Sequence, residues 1–186
     1  MPKKSLKISE EEISMTLDLK NIFGKTVPDR TLRSVIADDI KDYIIKRTLK
    51  GYGVDEGRPI KFVPYSPAYV KFKGQTNVDL ELSGSMLNSI LPLDLSDAER
   101  ITIGIANKDA PKAHGHTTGQ YGKGPLPKRP FLDLTDNEIN LFKKQYQDDV
   151  DKIQRKSVAD YITQIGVNIA TTQLQNAVEN LIKGKK

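Results

Sequence analysis

His114 and His116 are the only histidines in the chain, and one glycine separates them in Lys112-Ala-His-Gly-His-Thr-Thr-Gly. On an extended backbone such a pair can turn two imidazoles onto one metal ion. A metal site still needs a third ligand, normally a carboxylate or another histidine. The nearest acids, Asp109 and Asp133, stand at no recognised spacing from the pair. Cysteine is absent, which excludes thiolate ligands, disulfides and cysteine nucleophiles. Ser83 and Ser85 sit in Leu82-Ser-Gly-Ser-Met, which lacks the glycine-flanked elbow of a serine nucleophile, and both read as helix caps. Gly119-x-x-Gly122-x-Gly124 suggests a phosphate cradle, but proline follows it where a helix would have to begin. Asp148, Asp149 and Asp151 share a helix face and read as solvated acids. No catalytic residue, bound metal or cofactor is expected.

The elements that would hold these residues come from a polar chain. Hydrophobic residues make up 37% of its 186 positions, enough for one modest core whose burial an assembly would complete. No apolar run approaches the ~18 residues that span a bilayer, and the first residues carry no apolar signal core. A soluble, unexported protein is the expectation. The formal charge of +5 is unevenly spread. Segments 41–74 and 111–130 are net basic, while 75–110 and 131–165 are net acidic. Such alternation suits head-to-tail contacts between copies as well as it suits nucleic acid.

Residues 1–27 read as an arm, with Lys3, Lys4 and Lys7 ahead of Glu10, Glu11 and Glu12. Residues 28–49 predict an amphipathic helix. Pro28 falls in its first turn, Leu32, Val35, Ile36, Ile40, Tyr43 and Ile44 make its stripe, and Gly51 and Gly53 stop it. Residues 51–78 read as irregular, with Tyr52, Tyr65, Tyr69, Phe62 and Phe72 packing the loop or offering an aromatic surface. Short strands are expected at 78–82, at 91–95 and, most clearly, at Arg100–Ala106, where Gly104 implies a bulge or a close backbone approach. A long glycine-rich loop then runs from Asn107 to Arg129. Thr135 and Glu138 form a capping box for the following helix, which Ser157 continues or restarts and Gly166 can kink. The expected fold is α+β: a small antiparallel sheet, packed by the N-terminal helix and the helix after the loop, plus a long C-terminal helix. The expected divisions are an arm at 1–27, a domain at 28–156 and a helical extension at 157–186.

The order of these pieces resembles the tailed-bacteriophage virion morphogenesis family, the tail-completion or head–tail joining proteins of the neck. Leu82, Ser83 and Gly84 with Met86 and Leu87 match its helix-start motif. Ala113, His116 and Gly119 match its alanine–histidine–glycine loop, and Pro127, Arg129, Phe131 and Leu132 match the segment before its helix. The resemblance spans residues 30–145. It implies a structural, non-enzymatic virion protein, assembled in the host cytoplasm, whose six or twelve copies ring the DNA exit channel. Its implied partners are its own copies, the portal or adaptor, and the tail tube or terminator, with DNA passing through unread and no membrane involved. His114, His116, Gly119, Lys123, Pro127, Arg129, Phe131 and Leu132 would supply the interface loop and its anchor. The alternatives are a nucleic-acid-binding module using 41–74 and 111–130, a metal enzyme using His114 and His116, and another phage structural role such as a tail terminator or minor capsid protein.

Overall fold

In the computed structural model, which describes residues 3–80, 84–121 and 124–183, the chain opens with two antiparallel strands, β1 (Lys4–Ile8) and β2 (Ile13–Asp18). A one-turn helix α1 (Leu19–Phe23) leads to α2 (Arg30–Leu49). A hairpin follows, β3 (Tyr52–Asp55) and β4 (Arg58–Lys61), then the short helices α3 (Pro67–Lys73) and α4 (Ser85–Asn88). Strands β5 (Leu91–Asp94) and β6 (Arg100–Ile105) come next. Helix α5 (Ala110–Thr118), a minimal ladder of β7 (Gln120–Tyr121) with β8 (Gly124–Pro125), and α6 (Asp136–Lys183) complete the described chain. The fold is α+β.

The main sheet is antiparallel throughout, in the order β1-β2-β6-β5. Its centre follows from period-two alternation. Ile13, Met15 and Leu17 stand opposite Ile105, Ile103 and Ile101, and all six are buried. The intervening positions carry Ser14, Thr16, Thr102 and Gly104, with Thr16 and Thr102 hydroxyls 2.9 Å apart. A β-carbon at Gly104 would lie 2.7 Å from Ser14 Cα, so the close backbone approach is real, while the β2–β6 register runs through it without a bulge. The irregularity falls instead in β5, between Pro92 and Asp94.

Helix α2 packs on β5 and β6 and buries Ile36, Ala37, Ile40 and Ile44. It begins later than expected: Asp29 caps it by accepting the Leu32 N–H at 2.8 Å, which leaves Pro28 outside the first turn. Helix α6 has the expected capping box. Glu138 accepts the Thr135 N–H at 2.7 Å, and Thr135 Oγ1 accepts the Glu138 N–H at 3.2 Å. The helix runs unbroken through Ser157 and Gly166.

Four local expectations need correction. Residues 4–18 are not an arm, because β2 is an inner strand and its apolar face lies in the core. Segment 51–78 contains a hairpin, whose two-residue turn at Glu56 and Gly57 takes the left-handed backbone such turns require. Val78, Asp79 and Leu80 are not extended as a strand, since Leu80 is left-handed with φ 54°, and the rest of the expected strand, 81–82, lies outside the described residues. The expected glycine-rich loop contains helix α5: Pro111 suits its first turn, Ala110, Ala113 and Gly115 are small enough to be buried by close packing, and Gly119 ends it with φ 79°.

The chain forms two compact units, Met1–Gln147 and Asp148–Lys186. The sheet and the helices before α6 belong to the first. The second is the continuation of α6. No helix among the described residues is long and apolar enough to cross a membrane.

Candidate functional site

Three stretches meet at one cleft in the first unit, one of them far in sequence from the other two. The first is the turn into α3. Ser66 caps that helix through the Tyr69 N–H, and Pro67 occupies its first turn. This sets the Tyr65 and Tyr69 rings edge to face, with centroids 4.8 Å apart. The second is α5, where Lys112 and His116 lie one helical turn apart on the same face. The third is the segment after the β7–β8 ladder. Its Leu126 N–H donates to the Gly119 carbonyl at 2.9 Å, and its Arg129 N–H to the His116 carbonyl at 2.7 Å. Leu80, Leu126 and Pro127 add apolar wall to a cavity of about 440 Å³.

Arg129 is 5% exposed, and among the described residues its charge meets no carboxylate. Its Nε and Nη2 donate to the Val63 carbonyl at 3.1 and 3.0 Å, and Nη2 reaches the Pro64 carbonyl at 3.4 Å. The guanidinium carbon lies 5.1 Å from the Tyr65 ring centre, within cation–π range. Burial pushes the Arg129 pKa down. His116 Nδ1 is buried with no hydrogen-bond partner. Burial, helped by the Arg129 and Lys112 charges, lowers the His116 pKa to about 4, so the imidazole is neutral at pH 7. Asp79, behind the Tyr65 hydroxyl, is already engaged: it pairs with Lys73, accepts from Gln75 and takes the Tyr65 O–H at 3.3 Å. The Tyr65 oxygen in turn accepts the Leu80 N–H at 3.1 Å, which fixes Leu80 in its left-handed conformation at the cleft wall.

The expected interface residues divide. His116, Pro127 and Arg129 line the cleft together. His114 is on α5 but not among the lining residues. Gly119 is the α5 cap, where a β-carbon would sit 2.8 Å from the Leu126 carbonyl. Phe131 is fully buried and Leu132 nearly so, as anchors would be. Lys123, Leu82 and Ser83 lie outside the described residues. In the helix-start motif, Gly84 rather than a serine precedes α4, and Met86 and Leu87 are core residues. Ser85 does not cap α4. Its hydroxyl, like that of Ser89, donates to the Asp109 carboxylate, and these two bonds hold the Asp109 pKa below its ordinary value.

Tyr65, Tyr69 and Lys112 were not among the expected site residues. The signal for the first two was present in Ser66-Pro67, a helix cap followed by a first-turn proline. Lys112 had none beyond its four-residue spacing from His116.

Several cations of the two basic segments are engaged within the fold. Arg47 is bound to Glu138, Lys41 to Asp38, Lys73 to Asp79 and Lys128 to Asp55, while Arg129 holds carbonyls. Among the described residues, no three His, Asp or Glu side chains gather as metal ligands.

A different surface lies in the second unit. Val158, Ile162, Ile165 and Ile169 recur at spacings of four, three and four residues along α6, and each is at least 40% exposed. A lone helix has no partner within its own unit to cover this stripe. No family model, curated protein or solved structure matches the chain.

Proposed function

We propose that this chain is a structural protein whose copies assemble side by side, and that the assembly is the ring joining the head of a tailed bacteriophage to its tail. The observation that carries the assembly is the α6 stripe. A four–three–four repeat of β-branched residues is the pattern by which helices pack against copies of themselves, and water-exposed isoleucines gain about 1.5–3 kcal/mol each on full burial. The place in the phage neck comes from the resemblance in residues 30–145. In keeping with it, Phe131 and Leu132 fix the end of the Pro-x-Arg-x-Phe-Leu segment in the core and present Pro127 and Arg129 at a cleft. Copies of the chain, a portal or adaptor, and a tail tube or terminator would be the partners, with DNA passing through the ring.

Sedimentation and electron microscopy of the purified protein at high concentration test the assembly, and detection of the chain in purified particles tests its location. Discrete rings are expected, and Ile162→Glu with Ile165→Glu should return the protein to monomer while the first unit stays folded. A strictly monomeric protein that is missing from particles would sink the proposal.

A further inference from the structure

The cleft between α3 and α5 has the chemistry of a receptor for an apolar group that carries one carboxylate. A buried guanidinium is costly unless an anion or several acceptors answer it. Among the described residues Arg129 has two carbonyls and an aromatic face, but no carboxylate. Lys112 and His116 face the same cavity, and none of its described lining residues is acidic. Asp79, which takes the Tyr65 O–H behind the wall, is also engaged by Lys73 and Gln75. The buried, unpartnered Nδ1 of His116 marks a polar position that the fold leaves unanswered. Leu80, an apolar residue in a backbone conformation it rarely adopts, is held at the wall by the Tyr65 hydroxyl. Around these polar groups the walls are Tyr65, Tyr69, Leu126 and Pro127, and 440 Å³ is in the range of pockets that enclose a small ligand.

We infer that this cleft binds an aromatic or aliphatic carboxylate, with the apolar body against the tyrosine, leucine and proline walls and the carboxylate answering Arg129 and Lys112. Arginine suits the role because its planar fork pairs with carboxylates. Two sources share this chemistry: a free small carboxylate, and the terminal residue of a polypeptide whose side chain is apolar. The site does not depend on ring formation, so binding without rings, or rings without binding, separates the two ideas.

Calorimetric or NMR titration of the full chain with N-acetylphenylalanine, its amide and inorganic phosphate tests the inference. Saturable binding of N-acetylphenylalanine is expected, with the amide at least about tenfold weaker because it lacks the charge. Phosphate should also be weaker, because it lacks the apolar body. Lys112→Met and Tyr69→Ala should each weaken binding severalfold. Neither side chain is fully buried, so both variants should keep the wild-type circular dichroism spectrum. Arg129→Lys should weaken it further, and if that variant fails to fold the other two still decide. A tetrapeptide ending in phenylalanine with a free carboxylate distinguishes the sources. Tenfold tighter binding than N-acetylphenylalanine assigns the site to a polypeptide end, and equal binding to a small molecule. Equal binding of acid and amide, binding of phosphate as tight as that of the acid, or no binding of the acid at 50-fold molar excess overturns the inference.

Discussion

Arg47 on α2 and Glu138 at the start of α6 form a forked ion pair, Nη1 lying 2.8 Å from Oε1 and 3.0 Å from Oε2. The other arm of the guanidinium, Nη2, donates to the carbonyls of Phe131 and Asp133, both at 2.7 Å. Glu138 also closes the capping box and accepts the Tyr43 hydroxyl at 2.8 Å. One cation therefore ties α2, the buried Phe131 segment and the α6 N-terminus together. Removing it leaves a largely buried carboxylate and two carbonyls without their donor. Arg47→Ala should cost about 3–5 kcal/mol, measured by urea unfolding of the wild type and the variant.

Glu138 also sets an acid limit on stability. Burial would raise its pKa, but the Thr135 N–H and Arg47 together hold it below the ordinary 4.5. A carboxylate with a depressed folded-state pKa contributes stability above its unfolded pKa and loses it as the pH falls below that value. Urea midpoints measured from pH 7 down to pH 3 should fall below pH 4.5 in the wild type. Glu138→Gln should be less stable at pH 7 and should show a shallower acid loss.

His116 acts in a higher pH window. Its pKa is about 4 in the fold against 6.5 unfolded, so the unfolded chain binds the proton more readily. Stability is complete above pH 6.5 and declines as the pH falls from there toward 4. At about 1.4 kcal/mol per unit, the decline is at most about 3.5 kcal/mol. His116→Gln should flatten the stability profile between pH 6.5 and 4 and leave the loss below 4.5 in place. An NMR titration of the imidazole that gives a pKa near 6.5 would remove the basis for this expectation.

The parts of the fold most visible in sequence were those in which one segment carries its own signal. Ile101, Ile103 and Ile105 alternate, and they form a strand. Thr135 and Glu138 stand at capping-box spacing, and they cap. Ile13, Met15 and Leu17 alternate just as clearly, but lysines and glutamates flank them, and only the pairing with Ile105, Ile103 and Ile101 shows that they are central. Helix α5 was hidden by Gly115 and Gly119, which argue locally for a loop. Burial of Ala110, Ala113 and Gly115 by tertiary packing outweighs that local preference. The cleft was half visible. His116, Pro127 and Arg129 lie close in sequence, whereas Tyr65, Tyr69 and Leu80 come from an earlier stretch, which Arg129 joins through the Val63 and Pro64 carbonyls.

Gly53 is where that crossing is most exposed to substitution. A β-carbon there would overlap the Pro130 carbonyl oxygen and lie 2.5 Å from the Phe62 ring. The same carbonyl accepts the Val54 N–H at 3.1 Å, so the hairpin and the Arg129–Phe131 segment approach backbone to backbone. Neither neighbour can yield cheaply, since Phe62 is buried and Pro130 precedes the fully buried Phe131. Gly53→Ala should destabilise the chain by about 2 kcal/mol or more in urea unfolding.

The Asp109 carboxylate joins α4 to α5 by accepting the Ser85 hydroxyl at 2.9 Å and the Ser89 hydroxyl at 2.8 Å. It makes no side-chain cap bond to its own helix, so its structural work lies in the contact between the two helices. Hydrogen bonds to a charged acceptor contribute about 1.5–3 kcal/mol each, and partial exposure to water brings the pair toward the lower end. Asp109→Ala should cost about 3 kcal/mol, while Ser85→Ala and Ser89→Ala should each cost less because the carboxylate keeps one donor. The three substitutions act through one carboxylate, so Asp109→Ala combined with Ser89→Ala should cost little more than Asp109→Ala alone. Additive losses in that double-mutant cycle would show that the two residues act independently.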